Sequence, residues 1–148
     1  MVGKSAGFRQ ELLISLFNTS ASAVGSNMGH VFSAAPGLTS FWLSLHTAAP
    51  GTASSRQDLN EATYTGYARV SVARTTSGFT VTAGSCVLAA NATFGTASSS
   101  GQTITHFGIG ATSTLTGFLY YAGTVTPTIT IDLGVIPTLT TGTTVTES

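Results

Sequence analysis

Charge is scarce in this chain. Its 148 residues include five Lys or Arg and five Asp or Glu, so 7% are charged and the formal net charge is zero. Ordinary soluble domains carry about 25% charged residues. A neutral chain lacks the basic patches that bind nucleic acid or anionic lipid, so we expect neither a nucleic acid nor a membrane as a partner. So few charges also give little protection against self-association, which favours a protein that works inside an assembly.

Cysteine is almost absent as well. Cys86 is the only one, which excludes an intramolecular disulfide framework and a multi-cysteine zinc site. It lies in the largely apolar run Ser85–Leu88, where a buried small hydrophobic residue is the simplest interpretation. No apolar stretch approaches the ~20 residues of a membrane span. The segment Leu12–Phe17 imitates a signal peptide, but Arg9 and Glu11 crowd its short apolar core, and we predict that it is not one.

One helix is predicted, near the start of the chain. Five apolar residues recur there at helical spacing and would form a single face. They are Phe8, Leu12, Leu13, Leu16 and Phe17. Ser5 is a suitable N-cap and Asn18 a suitable stop, so the helix is expected over residues 5–18. Residues 19–40 are rich in Ser, Ala, Gly and Asn, and we predict that residues 1–40 form this helix and an extended arm.

The remaining residues, 41–148, are predicted to form short strands separated by turns. The first strand alternates Phe41, Leu43 and Leu45 with other residues and ends before Pro50-Gly51. The further predicted strands are Tyr67–Arg74, Gly78–Thr82, Ser85–Asn91, Thr103–Ile109, Gly117–Thr124, Thr128–Leu133 and Thr143–Thr146. Strands at intervals of about 8–15 residues are typical of sandwiches, jelly rolls and barrels. We therefore predict a mainly β protein, with a single β-sandwich or jelly-roll domain after the short N-terminal helix and extended arm.

Residues that could carry chemistry are few. Asp58 and Glu61 share a loop and could form a carboxylate pair, although a solvated loop is the simpler interpretation. Asp132 is expected to point outward from its strand. The three histidines show no metal-ligand spacing, but His46 and His106 lie on predicted strands and could meet there. The chain has no nucleophile elbow, dinucleotide fingerprint or phosphate loop, and we predict no enzyme, no cofactor and no metal site.

Aromatic side chains suggest a different kind of site. Five of them could form a carbohydrate platform if they are exposed, but strand positions make core or interface places the simpler interpretation. These five are Trp42, Tyr64, Tyr67, Tyr120 and Tyr121.

Three segments, taken in chain order, carry a family pattern. The first is Phe41–Gly51, an apolar strand followed by His-Thr-Ala-Ala-Pro-Gly. The second is Asn60-Glu61 followed by Tyr67–Val70, and the third is Thr103–Ile109 followed by Leu119–Gly123. Together they resemble a widespread family of small structural proteins from tailed bacteriophages, and the resemblance covers roughly residues 8–146.

The resemblance implies a virion component whose β-sandwich or jelly-roll domain is placed on a capsid or a tail. Members of the family are described either as tail-fibre-like proteins or as capsid decoration (cement) proteins. No catalytic residue is carried over, because the family motifs look structural. Within those motifs, Glu61 and Arg69 could pair between loop and strand, which would fix the geometry of the loop.

The leading hypothesis is a capsid decoration protein that binds the major capsid protein on the capsid exterior and stabilises the shell. Copies of the chain would form a homo-oligomer, a dimer or a trimer, and the apolar face from Phe8 to Phe17 would bind the neighbouring subunit. The alternative is a tail-associated or fibre-like protein that contacts the host surface and binds glycans through an exposed Trp42 or Tyr64. A small hydrolase that uses His46 or His106 is the third hypothesis.

Overall fold

The computed structural model describes residues 4–18, 38–51 and 56–146. Residues 19–37, most of the predicted arm, lie outside these ranges. The described elements are one helix and nine strands. They are α1 (Ala6–Phe17), β1 (Ser40–His46), β2 (Val70–Ala73), β3 (Phe79–Thr82), β4 (Ser85–Leu88), β5 (Ala92–Thr93), β6 (Gln102–Gly110), β7 (Leu119–Ile131), β8 (Thr138–Leu139) and β9 (Thr144–Thr146).

The helix begins and ends where the sequence predicts. Ser5 Oγ accepts a hydrogen bond from the Phe8 amide at 3.2 Å, which satisfies one of the free N–H groups of the first turn. At the other end, the Asn18 amide donates to the Ile14 carbonyl at 2.8 Å. Within the described residues, no helix is long and apolar enough to cross a membrane.

The chain divides into two compact units, and the first contains α1, Ala73–Asn91 and the residues from Thr140 onward. Its sheet is three-stranded and antiparallel, in the order β3-β4-β9. A two-residue turn joins β3 to β4, and Ala83 and Gly84 both adopt the positive φ that a tight hairpin of this kind requires. The helix packs on β3 and β4, and the Phe17 and Phe79 rings lie 4.8 Å apart.

The second unit contains Phe41–Val72 and Ala92–Leu139. Apart from two end residues, it holds the four-stranded sheet β2-β1-β6-β7 and the short β5-β8 pair. In the antiparallel register of β1 and β6, Ser44 lies opposite Gly108. Strand β1 is buried on both faces, with Leu43 and Leu45 on one and Ser44 and His46 on the other.

Two strand predictions need correction. Gly117–Thr124 and Thr128–Leu133, predicted as separate strands, form the single strand β7. Residues 125–128 bulge opposite Thr105, and this bulge accommodates Pro127, which has no N–H to donate to a ladder. The short strands β5 and β8 were not predicted, because two residues are too few to show alternation. The mainly β fold with a short N-terminal helix is confirmed, while the choice between sandwich and jelly roll stays a prediction.

Candidate functional site

The polar face of β1 lies against glycines of β6. Ser44 and His46 are fully buried, and Gly108 and Gly110 lie opposite Ser44 and Trp42 in the ladder. A Cβ atom on Gly108 would approach Ser44 Oγ to 2.7 Å and His46 Nε2 to 2.8 Å. The glycines therefore leave the room that these polar side chains occupy.

A chain of hydrogen bonds connects this face to Gln57 and Leu59, which lie between β1 and β2. The Leu59 carbonyl accepts from His46 Nδ1 at 2.8 Å, so Nε2 is free to accept from Ser44 Oγ at 2.9 Å. The Gln57 amide nitrogen donates to Ser44 Oγ at 3.2 Å and to the Trp42 carbonyl at 2.7 Å. Burial lowers the pKa of His46 and favours the neutral ring that this pattern requires.

Arg69 and Glu61 form a bidentate ion pair beside Gln57. Arg69 Nε lies 2.7 Å from Glu61 Oε1, and Nη2 lies 2.6 Å from Oε2. The two side chains are 2% and 15% exposed. Arg69 also donates to Gln57 Oε1 at 3.2 Å, to the Thr112 carbonyl at 2.9 Å and to the Leu115 carbonyl at 2.9 Å. The predicted pairing is present, but it is buried, and the guanidinium is satisfied on every side.

Tyr67 binds the same Glu61 carboxylate. Its hydroxyl donates to Glu61 Oε1 at 2.6 Å and accepts from the Leu45 amide at 3.1 Å. Burial, and then the hydrogen bond and charge of Glu61, raise the pKa of Tyr67 far above its usual range. We call this set the buried polar network. Its side chains are Ser44, His46, Gln57, Glu61, Tyr67 and Arg69.

The network includes a serine next to a histidine, a combination that hydrolases use for catalysis. Here, however, the His46 Nδ1 atom faces the backbone carbonyl of Leu59 rather than a carboxylate. Ser44 and His46 also have no exposed surface, so no substrate contacts them in this conformation. The arrangement is suited to fixing the loops around β1.

The structure does not bring Asp58 and Glu61 together as a carboxylate pair. Asp58 binds Arg56 instead, with Nε–Oδ1 and Nη2–Oδ2 distances of 3.0 and 2.6 Å. The hydrogen bonds from Arg56 lower the pKa of Asp58 to about 2. The expectation of a solvated loop is wrong for Glu61, because a buried arginine holds it. Asp132 is exposed, as predicted.

His46 and His106 do meet, since they lie opposite one another in the β1–β6 ladder. Both nitrogens of His46 are already engaged, and His106 Nδ1 lies 2.8 Å from Thr105 Oγ1. No group of three or more His, Cys, Asp or Glu among the residues that the structure describes could hold a metal ion.

The five aromatic residues of the carbohydrate-platform hypothesis are buried or half-buried. Tyr64 is only 4% exposed and donates to the Gly95 carbonyl at 3.0 Å, so the idea of an exposed Tyr64 is wrong. Tyr67 belongs to the buried polar network, whereas Trp42, Tyr120 and Tyr121 are half-buried. Among the residues that the structure describes, the large exposed ones that sequence reasoning missed are Leu115, Phe118, Leu133 and Ile136. Nothing in their spacing distinguishes them from core residues.

The predicted partner-binding face of α1 is largely internal to the first unit. Leu13 and Phe17 are fully buried, Leu12 and Leu16 are half-buried, and Phe8 is 42% exposed. A role of this helix in binding a neighbour stays a prediction, with Phe8 as its exposed member. In the same unit, Cys86 is 1% exposed, and burial raises the pKa of its thiol to about 12, so the prediction of a buried cysteine is confirmed.

The family model for the Podophage GP4 fiber I protein gp80 matches residues 18–147, which is most of the chain. No curated protein matches the chain. The family match makes the chain a structural protein of the bacteriophage virion. It belongs to the gp80 family of fibre I proteins. The match agrees with the bacteriophage resemblance seen in the sequence, while the individual motifs of that resemblance stay a prediction.

Proposed function

We propose that the protein is a tail-associated, fibre-like component of the virion that contacts the host surface. The observation that carries this proposal is the fibre protein family matched over residues 18–147. The match favours this alternative over the capsid decoration hypothesis, for which there is no corresponding support.

The second unit has features that suit such a contact. One of its loops exposes two large apolar side chains, Leu115 and Phe118. Exposed apolar groups of this kind mark interaction surfaces when they cluster. The low charge of the chain supports self-association, and we propose that several copies assemble in the virion.

The proposed role is binding rather than catalysis. The serine–histidine pair of the buried polar network supports this, because neither side chain is exposed. A hydrolase hypothesis would be revived by a measurable activity that disappears in a His46→Gln or a His106→Gln variant.

Copy number and position in purified particles test the proposal. Quantitative mass spectrometry against the major capsid protein should give about three to a few dozen copies, as small closed oligomers on a tail would. Gold-labelled antibodies to the chain should mark the tail in electron micrographs. Hundreds of copies, with label over the shell, would instead support capsid decoration. Absence from the particle would overturn both hypotheses.

A further inference from the structure

Residues 112–118, within the loop between β6 and β7, include a strained and exposed leucine. Leu115 has φ 61° and is 82% exposed. The other non-glycine residues with positive φ in the described ranges are Asn60 and Ala83. Asparagine tolerates this conformation, and Ala83 lies in a tight hairpin. A bulky residue in the left-handed region is strained, and Leu115 recovers little of that strain through burial.

Two residues of the buried polar network, Arg69 and Gln57, donate hydrogen bonds to backbone carbonyls of this loop. Arg69 donates to the Thr112 carbonyl at 2.9 Å and to the Leu115 carbonyl at 2.9 Å. The backbone N–H of Gln57 donates to the Gly117 carbonyl, also at 2.9 Å. The backbone that presents Leu115 is therefore fixed before any partner arrives, which lowers the entropic cost of binding.

A row of aromatic rings leads from the core to the same loop. Phe41 is fully buried, and its ring centroid lies 5.2 Å from that of Tyr120. Tyr120 in turn lies 5.0 Å from Phe118, with the two rings tilted by 64°. Phe118 is 55% exposed, so its ring is held at one edge and open to solvent elsewhere.

A planar polar pair lies beside Phe118. Arg56 is the direct bridge partner of Phe118, which places the two side chains on one face. Arg56 binds Asp58 in bidentate fashion, and their side chains are 46% and 27% exposed. Thr116 Oγ1 donates to Asp58 Oδ2 at 3.3 Å. The pair carries no net charge, so this surface does not favour a strongly anionic or cationic partner.

We propose that Phe118, Leu115 and the Arg56–Asp58 pair form a binding site for uncharged carbohydrate on the host surface. An open aromatic ring suits the apolar C–H face of a sugar, and the fixed guanidinium and carboxylate suit its hydroxyl groups. An apolar protein partner would fit Leu115 but would leave the polar pair without an evident role. This inference rests on the proposed host contact and names the partner and the surface that make it.

The test uses the full chain displayed in many copies on fluorescent beads, so that weak contacts add. The beads are mixed with cells of a susceptible host, either untreated, oxidised with periodate to destroy sugar diols, or treated with proteinase. Two variants change the site, Phe118→Ser and Leu115→Asn. Leu133→Asn is the matched control, because it removes an equally large leucine that is 76% exposed on another loop. Trp42 fluorescence during unfolding confirms that each variant is folded.

We expect the wild-type beads to bind untreated and proteinase-treated cells and to lose binding after periodate. Phe118→Ser and Leu115→Asn should each weaken binding by about tenfold or more, as the loss of an anchor residue does. Leu133→Asn should bind like the wild type. If wild-type binding is sound but both site variants bind equally well, the site is wrong and the host contact stands. Binding that proteinase removes and periodate spares overturns the carbohydrate assignment. A wild-type chain that binds no cells overturns the host contact itself.

Discussion

The two units of the chain are built around different interiors. Of the five buried polar or charged residues in the described ranges, Asn18 lies in the first unit and Ser44, His46, Gln57 and Arg69 lie in the second. The first unit packs its helix on a sheet through apolar contacts, which tolerate changes that conserve volume. The second unit places hydrogen-bonded groups at the centre of its sheet, where each donor and acceptor depends on its partner.

The arginines show the same contrast. In the first unit, Arg74 Nε donates to the Leu16 carbonyl at 2.7 Å and Nη2 to the Ser15 carbonyl at 3.1 Å. These bonds cover the C-terminal end of α1, where carbonyls have no partner within the helix. In the second unit, Arg69 lies directly before β2 and balances the charge of Glu61. It also donates to the Leu115 carbonyl, so it connects the loops that contain Glu61 and Leu115. Losing Arg69 therefore changes both charge and connectivity.

Each unit contains one natural reporter. Trp42, the only tryptophan, lies in the second unit, and Cys86, the only cysteine, lies buried in the first. Fluorescence of Trp42 and labelling of the Cys86 thiol therefore follow the two units separately during denaturation. The comparison predicts that substitutions in the network shift the fluorescence transition.

The largest effect is expected for Arg69→Met. The substitution leaves the Glu61 carboxylate without its counterion and the Thr112 and Leu115 carbonyls without a donor. Breaking a buried ion pair from one side costs about 3–5 kcal/mol of unfolding free energy. Urea denaturation followed by Trp42 fluorescence measures the loss. Arg56→Met, which breaks the exposed Arg56–Asp58 pair, is the control and should change stability little. Equal losses in the two variants would contradict the importance of the network.

The second largest effect is expected where Gly110 leaves space for the Gln57 side chain. Gly110→Ala would drive a Cβ atom into the Gln57 amide, and overpacking of this kind costs about 1–3 kcal/mol. Truncating Gln57 to Ala should relieve the clash, so the double variant should lose less than the sum of the two single variants.

Gly7→Ala is the matched control for Gly110→Ala. A Cβ atom there meets nothing within 4 Å, and alanine favours a helix by up to about 1 kcal/mol over glycine. The unfolding free energy should therefore rise in Gly7→Ala and fall in Gly110→Ala. A Gly110→Ala protein as stable as the wild type would show that the network adapts freely.

Mild acid should lower the stability of the second unit more than that of the first. Burial holds the pKa of His46 below its usual value of 6.5, so the unfolded chain binds a proton more readily. Stability from the neutral His46 is complete above that value and declines as pH falls below it. The Trp42 transition should move to lower urea between about pH 7.5 and pH 5.5, the range of an ordinary histidine titration. Both histidines of the described ranges lie in the second unit, so Cys86 labelling should change less.

Substitution of each histidine identifies the group that titrates. His46→Gln should lower stability at neutral pH and remove most of the pH dependence in this window. His106→Gln should keep it, because His46 and its bonds to Ser44 and Leu59 remain. A pH dependence that survives His46→Gln would assign the effect to another group.

The sequence predicts the frame of this protein better than its site. The helix caps, most of the strands and the buried cysteine follow from local patterns, each of which depends on near neighbours. The Glu61–Arg69 pair could also be anticipated, but its burial could not, because it requires Gln57 and the 112–118 loop to converge. One signal was available: the Gly108 and Gly110 pair alternates as Ser44 and His46 do. Only the register, which sequence does not give, places Gly108 opposite Ser44 and Gly110 opposite Trp42.

The smallest effect concerns the strained leucine, and it has the opposite sign. Leu115→Asn replaces a bulky residue at φ 61° with one that tolerates the left-handed conformation, while Arg69 still binds the backbone carbonyl. Relief of this strain should raise the unfolding free energy of the second unit by about 1 kcal/mol. Leu133→Asn, also exposed, should change it by less than about 0.5 kcal/mol, as ordinary surface substitutions do. If Leu115→Asn is instead destabilising, the leucine contributes to the fold, and its retention no longer points to binding. A gain in stability together with a loss of cell binding would mean that this position is kept for contact at a cost to the fold.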